Sequence, residues 1–440
     1  MEFSNEIIGL LMIGAMLFAI FIGFPISFTL IFLGVVFGAW GIGVKLTIFL
    51  MTLQFYNSMM EQTLAAVPLF VFMGFMMEQA GLMERLFAAI QMLLARMKGS
   101  LYVAVLFVSV VFGAATGIVG ASVTILGIMA AKTMNRSGYD VRLAAGTITA
   151  GGTLGILIPP SIMLVVMGPV LEIPVTDLFA AAIMPGIMMA ALYLIYAVGR
   201  CWINPRLGPP LPEDMIEPDK GKVLKELMLG FVPPTILIAF ALGSILFGFA
   251  TPTEGAGMGA FGSILLAIGY RKFTARGFYD ALIKTLEISV LILFLVAASN
   301  FFGAVFSRLG TPTMITELLL NLDVSSSIVV ILILALVFVL GWPLEWVPIV
   351  LIILPILAPV LIELEVDMLW FAILVAVCLQ TAWLSPPVAL SAYFLKGVVP
   401  EWDLKDIYLG MMQFMLVLVK SCLSSEKNSK MNLNQFSTKN

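Results

Sequence analysis

Small and hydroxyl-bearing residues interrupt this otherwise apolar chain at four places. The interruptions are "GAATGIVGAS" at 113–122, "GGTLGILIPP" at 151–160, "GWPLEW" at 341–346 and "TAWLSPP" at 381–387. A broken helix frees backbone carbonyls and exposes helix C-termini, which suit a dehydrated Na⁺, whereas helix N-termini attract an anion. These residues therefore predict ion chemistry built from backbone and hydroxyl oxygens.

Hydroxyl side chains beside these breaks could complete an oxygen cage without any buried carboxylate. They are Thr116, Ser122, Thr149, Thr153, Ser161, Thr381 and Ser385. Each hydroxyl can instead bond back to a carbonyl of its own helix, and a glycine can simply mark close helix packing. Because the breaks fall as two pairs, we expect them to build one central site.

The composition of the chain is that of an integral membrane protein. Of its 440 residues, 61% are hydrophobic and 11% are charged, and the mean hydropathy is +1.10. Many apolar runs reach about 20 residues, enough to cross a hydrocarbon core of about 30 Å. We interpret the first run, from Ile7 to Gly23, as a retained helix. The net charge of −3 gives no indication of nucleic-acid binding.

The residue types that are missing exclude several chemistries. Without histidine there is no histidine metal site, histidine proton relay or Ser-His-Asp triad. Cys201, Cys378 and Cys422 are too scattered for a metal knuckle or a redox pair, and no phosphate-loop motif occurs. An intramembrane enzyme would need a catalytic pair, and a passive channel would not need paired breaks. We therefore expect transport driven by a gradient.

The distribution of charge predicts the topology. Basic residues concentrate in four segments that we place in the cytoplasm: Arg85 to Lys98, Lys132 to Arg142, Arg200 to Lys225 and Arg271 to Lys284. Acidic residues concentrate in four segments that we place outside: Glu172 to Asp177, Thr251 to Glu254, Asp323, and Glu363 to Asp367. Residues 100–132 have basic flanks on both sides, so this span must enter and leave on the same side.

Two re-entrant hairpins of opposite orientation follow from this topology. The arm "LYVAVLFVSVVF" of the first hairpin, 100–132, has 12 residues, about 18 Å as a helix, and is too short to cross. The second hairpin, 326–364, has acidic ends and should enter from outside. Opposed hairpins imply an inverted repeat. We predict an all-α polytopic membrane protein with two hairpins and broken helices.

A weak sequence echo supports the repeat. Residues 157–179, "LIPPSIMLVVMGPVLEIPVTDLF", can be laid on residues 384–406, "LSPPVALSAYFLKGVVPEWDLKD". The proline pairs match, and after a one-residue gap a later Pro and Asp also match: Pro174 and Asp177 with Pro400 and Asp403. Shared features at nearly the same spacing indicate that the two halves are related.

The chain is similar, over nearly its whole length, to the large membrane subunit of the tripartite ATP-independent periplasmic (TRAP) transporters. The similarity rests on four motifs in the family's order and spacing: "VPLFVFMGFMMEQAGL" (67–82), "GGTLGILIPPS" (151–161), "ATPTEGAGMGA" (250–260) and "QTAWLSPP" (380–387). It implies import of organic acids by Na⁺ symport, through an elevator movement of the hairpin domain. It also implies that the chain is a multi-pass protein in the lipid bilayer of the bacterial inner membrane. Its implied partners are a small four-helix membrane subunit and a periplasmic substrate-binding protein.

The resemblance implies two Na⁺ sites, each between a hairpin tip and the opposing broken helix. The predicted Na⁺ ligands are Gly113, Thr116, Gly120, Thr149, Gly152, Thr153, Gly341, Glu345, Gln380, Thr381 and Ser385. The predicted substrate-binding residues are Thr116, Ser122, Thr153, Ser161, Thr381, Ser385 and Glu345. The first site requires Thr149, Gly152 and Thr153 to lie within reach of the turn at 113–122.

The second hairpin tip departs from the family, in which a shorter polar turn with Asp is common. Here the tip carries Pro343 and Glu345. The carboxylate of Glu345 could bind a cation, pair with Arg308 or face an external cavity. The sequence leaves these three alternatives open.

The C-terminus departs from the family as well. Ile407 to Val419 is 13 residues, about 20 Å as a helix, and the polar stretch 420–440 predicts a disordered, cytoplasmic tail with a truncated or frame-shifted end. Two alternatives to the importer therefore stay open: an inactive truncated subunit, and an ion-coupled transporter of related fold that needs no binding protein.

The predicted parts of the chain are scaffold 1–65, first repeat 66–199, linker 200–226, central scaffold 227–284, second repeat 285–419 and tail 420–440.

Overall fold

The computed structural model describes residues 4–213, 219–320, 325–342, 344–386 and 389–419, and this part of the chain contains helices and no strand. The first ten helices are α1 Asn5–Ile22, α2 Ile26–Gly41, α3 Val44–Met60, α4 Ala66–Gln79, α5 Leu82–Leu93, α6 Ser100–Thr116, α7 Val119–Arg136, α8 Val141–Thr153, α9 Ile162–Leu171 and α10 Val175–Ile203. The next ten are α11 Lys220–Leu246, α12 Pro252–Gly269, α13 Ala275–Arg308, α14 Thr311–Leu320, α15 Ser326–Leu340, α16 Trp346–Pro348, α17 Leu354–Glu363, α18 Met368–Leu379, α19 Leu390–Val398 and α20, residues 404–419.

The helices have the lengths that a bilayer requires. Among the described residues, five are long and apolar enough to cross a membrane, or six if the bent pair Val44–Met60 and Gln62–Gln79 forms one span. Five further apolar helices have only 10–17 residues, and all of these except α2 flank the predicted breaks. The prediction of an all-α polytopic membrane protein is therefore confirmed.

The helix ends have local causes in the sequence. Asp140 accepts a hydrogen bond from the backbone N–H of Leu143 and begins α8. At the start of α12, the hydroxyl of Thr251 and the carboxylate of Glu254 satisfy each other's backbone N–H groups in a capping box, with Pro252 in the first turn. These caps fix where the two helices begin.

The ends of α6, α8 and α10 meet on one face of the molecule. The phenol of Tyr102 donates to the Leu207 carbonyl at 2.7 Å, and the Asp140 N–H donates to the same carbonyl at 3.1 Å. The Gly99 N–H also donates to the Gly208 carbonyl at 2.9 Å. The connection after α10, predicted as a linker over 200–226, therefore begins only after Ile203 and packs against α6.

The other basic segments reach the same face. Arg85 lies 3.4 Å from the carboxylate of Glu226 and over the ring of Tyr270, whose hydroxyl reaches the Leu229 carbonyl. The connection after α10 joins this group, since its Leu211 N–H donates to the carbonyl of Ala95 at 2.9 Å. The four segments that the charge pattern placed together thus lie on one face.

Two of the four acidic segments, 172–177 and 251–254, lie next to each other. Residues 172–176 and Pro252 line one cleft together with Glu61 and Thr63. The hydroxyl of Thr253 donates to the Gln62 carbonyl at 2.9 Å, which joins the start of α12 to the bend between α3 and α4. Asp323 lies outside the described residues.

The long helices form a frame around the short ones. Helix α13, 34 residues in length, packs against α2, α3 and α4, while α12 packs against α4 and α11 packs against α5. Short helices α6 to α9 and α15 to α19 contact one another, and several of them contact α4, α11 and α13. The frame therefore positions the breaks.

Helix α20 is an integral part of the packing. It begins at residue 404, earlier than the predicted Ile407, and the ring of Phe414 packs edge-on against Tyr193 and Tyr196 of α10. Gly410 lies directly against the backbone of α8, where a Cβ added at Gly410 would stand 2.0 Å from the Arg142 carbonyl oxygen. The helix accordingly fastens the second repeat to the first.

We expect Gly410→Ala to destabilise the protein, because its methyl group would collide with backbone that belongs to another helix. Overpacking of this kind costs about 1–3 kcal/mol, and thermal unfolding of the purified protein in detergent measures it. Gly397→Ala is the matched control, since a Cβ at Gly397 meets nothing within 4 Å. Equal unfolding temperatures for the two variants would contradict the packing between α8 and α20.

Candidate functional site

The first break is narrower than the sequence predicts. Helix α6 continues through Gly113 to Thr116, and the chain reverses at Gly117, whose φ of +59° favours glycine. The N–H of Gly117 donates to the Gly113 carbonyl at 3.0 Å, so this carbonyl is already bonded. The break therefore lies inside the predicted range 113–122 and is shorter than it, because α6 extends to Thr116 and α7 resumes at Val119.

The second break follows α8. A 3₁₀ turn at Leu154–Ile156 continues the helix, a turn with a cis peptide bond between Pro159 and Pro160 follows, and α9 begins at Ile162. The hydroxyl of Ser161 donates to the Ile156 carbonyl and accepts from the Leu164 N–H. Gly152 lies within α8, and the helix ends at Thr153.

The third break separates α15 from α16. Helix α15 ends at Leu340, and α16, a π-helical turn at Ile349–Ile353 and α17 form the returning arm. Helices α15 and α17 contact each other, so the chain doubles back here as α6 and α7 do. Pro343 lies outside the described residues.

Glu345 lies at this third break, immediately before α16. Its side chain is half-buried, and no hydrogen bond or ion pair joins it to another described residue. Arg308 is exposed at the end of α13, and the pairing of Arg308 with Glu345 does not occur among the described residues. The other two alternatives for this carboxylate stay open.

The fourth break repeats the second. A 3₁₀ turn at Gln380–Trp383 follows α18, and α19 begins at Leu390. The hydroxyl of Ser391 donates to the Trp383 carbonyl, just as Ser161 donates to the Ile156 carbonyl. Extended one residue upstream, the pairing of the two halves places Trp383 on Ile156, so counterpart carbonyls each accept a hydroxyl, although Ser161 and Ser391 are not themselves counterparts.

Each hairpin tip contacts the broken helix of its own half. A Cβ added at Gly113 would stand 3.1 Å from the Gly155 Cα, and a Cβ added at Gly341 would stand 3.2 Å from the Ala382 Cβ. Extended two residues upstream, the same pairing of the two halves places Ala382 on Gly155. The two contacts, one in each half, are therefore related by the same repeat.

Equivalent residues also meet between the halves. The Oγ1 of Thr153 lies 3.4 Å from the Oε1 of Gln380, and both side chains are fully buried. Extended four residues upstream, the pairing of the halves makes Thr153 and Gln380 counterparts. Residues that contact their own counterparts mark the axis of a two-fold repeat, so this pair lies on that axis.

The predicted approach of α8 to the first hairpin involves different residues from those expected. Gly152 lies against Val123 of α7, one residue beyond the predicted turn, and Gly155 makes the contact with Gly113. Thr149 bonds to carbonyls of its own helix, and Thr153 faces Gln380. The ring of Phe394, from α19, covers Gly120.

Most of the candidate hydroxyls donate to nearby backbone carbonyls. The bonds are Thr149 to Ala145 at 2.7 Å, Thr153 to Ala150 at 2.8 Å, Thr381 to Cys378 at 2.6 Å and Ser385 to Thr381 at 2.7 Å. A hydroxyl that donates its hydrogen keeps lone pairs that can still face a cation. Ser122 is buried in α7, and the side chain of Thr116 lies outside the described residues.

Two buried N–H groups near the axis have no acceptor among the described residues: the Nε2 of Gln380 and the Nε1 of Trp383. A buried donor without an acceptor costs about 1–3 kcal/mol. Gln380 was a candidate from sequence, but Trp383 was not. The feature that could have indicated Trp383 is its indole, which can donate but not accept a hydrogen bond, at a break where backbone carbonyls are already bonded.

A comparison with protein families matches residues 13–425 to the tripartite ATP-independent periplasmic transporter, DctM component. The sialic acid TRAP transporter large permease protein SiaM of Vibrio cholerae is 28% identical, over 86% of this chain and 87% of that protein. The C4-dicarboxylate TRAP transporter large permease protein DctM of Pseudomonas aeruginosa is 28% identical, over 79% and 80%.

The YdaH transporter of Alcanivorax borkumensis has a similar fold. Its crystal structure matches with a TM-score of 0.63 at 15% identity, covering 87% of this chain and 88% of that one. The family match spans nearly all of the helices, including all four breaks. The chain is therefore a member of the DctM component family of tripartite ATP-independent periplasmic transporters, and a transport protein of the membrane.

Proposed function

We propose that the chain is the large permease subunit of a secondary transporter that imports organic acids by Na⁺ symport across the bacterial inner membrane. The observation that carries this proposal is the central pair Thr153 and Gln380, flanked by the tip contacts at Gly155 and Ala382. The relatives named above act on sialic acid and on C4-dicarboxylates, and both substrates carry carboxylates. A carboxylate is thus the substrate group that this chain would recognise.

The two Na⁺ sites would lie where each hairpin tip meets its broken helix. The first would draw its ligands from Gly113, Gly120, Thr149, Gly152 and Thr153, and the second from Gly341, Glu345, Gln380, Thr381 and Ser385. Neutral oxygens suit a hard cation. Support comes from the buried hydroxyls, whose hydrogens point to backbone carbonyls and whose lone pairs remain for an ion.

Transport would proceed as an elevator movement. The hairpins and broken helices would move as one body, since α20 and α8 pack through Gly410 and the halves meet at Thr153 and Gln380. The long helices α11 to α13 would stay in place. Sites formed by discontinuous helices near the bilayer midplane are typical of secondary transporters with inverted repeats.

Two partners complete the proposed transporter. A periplasmic binding protein would deliver the acid, and a small membrane subunit of four helices would cover the frame. Helices α2 and α3 expose large apolar side chains, including Phe28, Phe32, Ile48 and Phe49, which suit a membrane-embedded partner or lipid. The transport assay of this proposal therefore includes both partners.

We expect proteoliposomes that contain the chain, its small subunit and its cognate binding protein to accumulate the acid only when external Na⁺ exceeds internal Na⁺. The acid is identified beforehand by mass spectrometry of the purified binding protein. Replacing Na⁺ by K⁺ should reduce initial uptake to background. Uptake that is unchanged without a Na⁺ gradient would contradict the coupling, and full uptake without the binding protein would favour the transporter that needs none.

A further inference from the structure

We infer that the indole N–H of Trp383, with the adjacent amide of Gln380, binds the carboxylate of the transported acid; this inference rests on the proposed function. Both side chains are more than nine-tenths buried. Both carry an N–H group that finds no acceptor among the residues that the structure describes. The site thus presents donors and lacks the group that would accept from them.

The two donors share one face of a single turn. Gln380 and Trp383 are the first and last residues of a 3₁₀ helix. Side chains three residues apart in a 3₁₀ helix eclipse each other, and their α-carbons are about 6 Å apart. One carboxylate has two oxygens and about four lone-pair positions, so it can accept from both groups at once.

Three backbone carbonyls of this segment already accept hydrogen bonds from hydroxyl groups. The Trp383 carbonyl accepts from the Ser391 hydroxyl, the Thr381 carbonyl accepts from Ser385, and the Cys378 carbonyl accepts from Thr381. A cation cannot satisfy an N–H donor, because both are positively polarised. The missing partner is therefore an anion or another oxygen acceptor, and a carboxylate is the acceptor that the proposed substrate brings.

Trp383 is the donor in either orientation of the Gln380 amide. The hydroxyl of Thr153 has one hydrogen, which its 2.8 Å bond to the Ala150 carbonyl uses. The Thr153 oxygen, 3.4 Å from the Gln380 amide, can therefore accept a hydrogen bond from that amide if the amide is rotated by 180°. In that orientation the amide turns its oxygen away from Thr153, while the indole N–H of Trp383 is unchanged.

The site is asymmetric although the two halves of the fold are related by a two-fold repeat. The counterpart of Trp383 in the first half is Ile156, which has no side-chain donor. The ring of Trp383 lies 6.5 Å from that of Phe394, which in turn covers Gly120 of the first hairpin. The donor and the aromatic ring beside it therefore both come from the second half, whereas the first half has Ile156 at the equivalent position, so an acid would bind in a single orientation.

The first test observes the indole directly. The full chain, labelled with ¹⁵N-tryptophan and held in lipid nanodiscs, is titrated with sodium acetate, and the Trp383 signal is assigned by its loss in Trp383→Phe. We expect a saturable shift of this signal with acetate and none with acetamide, which is neutral and nearly isosteric. A Trp383 signal that acetate leaves unchanged would overturn the inference.

The second test separates acid binding from ion binding. In the uptake assay, Trp383→Phe keeps an aromatic ring and removes the N–H, so the half-saturating acid concentration should rise about 10-fold while half-activation by Na⁺ stays the same. Trp202→Phe, on the exposed end of α10, is the matched control. Thermal unfolding of the purified variant establishes that it folds.

The outcomes distinguish this inference from the proposed function. A saturable acetate shift without Na⁺-driven uptake by the wild-type protein would contradict the proposed function and keep the carboxylate site. Uptake by the wild-type protein, combined with an unchanged half-saturating concentration in folded Trp383→Phe, would overturn the carboxylate site alone.

Discussion

Replacing Gly155 by alanine should reduce Na⁺-driven uptake by about 100-fold or more. The added methyl group would stand 2.6 Å from the carbonyl oxygen of Gly113 and 3.0 Å from its carbonyl carbon and Cα. These are backbone atoms, which cannot rotate away as a side chain can. The tip of the first hairpin would therefore have to move, and displacements of about 1 Å in a reacting or binding geometry can cost about 100-fold in rate.

Two further substitutions make this expectation specific. Gly341→Ala introduces a methyl group at the second tip, but there the nearest atoms, the Ala382 Cβ and the Val337 carbonyl oxygen, are both 3.2 Å away, so uptake should fall by less. Gly199→Ala on α10 meets nothing within 4 Å and should transport normally. If Gly155→Ala transports like Gly199→Ala at equal membrane levels, the tip contact has no role in transport.

The positions of the breaks could be predicted because glycine and proline act locally. All four lie within or next to the predicted ranges, and the proline pairs correctly indicated related halves. The exact ends could not be predicted, since a glycine permits a turn without requiring one. Gly113 remains helical, and Gly117 makes the turn because its φ is positive.

Contacts between residues that are far apart in the sequence could not be predicted from local sequence patterns. Thr153 and Gln380 are 227 residues apart, and only folding brings the two halves together. The sequence pairing makes them counterparts, yet nothing in it places them on the axis. Trp383 was missed for a related reason: its importance comes from an acceptor that is lacking, and the lack depends on bonds that Ser391 and Ser385 make to nearby carbonyls. Helix α20 likewise owes its place to Gly410 and Gly146, whose closeness is a property of packing.

Replacing Gln380 by leucine should also reduce uptake by about 100-fold. Leucine has a similar size, so the loss would come from the amide, which lies on the two-fold axis and contacts Thr153 at 3.4 Å. Both groups are fully buried, and leucine supplies neither the oxygen nor the N–H that the proposed ion and acid sites draw from this amide. A 100-fold loss corresponds to about 2.7 kcal/mol of transition-state free energy. Initial rates at saturating acid and Na⁺ measure it.

Gln380→Glu distinguishes the two roles that the amide can have. A carboxylate keeps an oxygen for Na⁺ but repels an organic acid, so half-activation by Na⁺ should be retained while the half-saturating acid concentration rises. Gln413→Leu is the matched control, because this glutamine of α20 bonds to Tyr196 and Arg200 away from the breaks. Normal uptake by Gln380→Leu would show that the axis pair serves packing only. A parallel loss of Na⁺ and acid affinity in Gln380→Leu, with only the acid affinity lost in Gln380→Glu, would instead make this one side chain the physical link between ion and substrate.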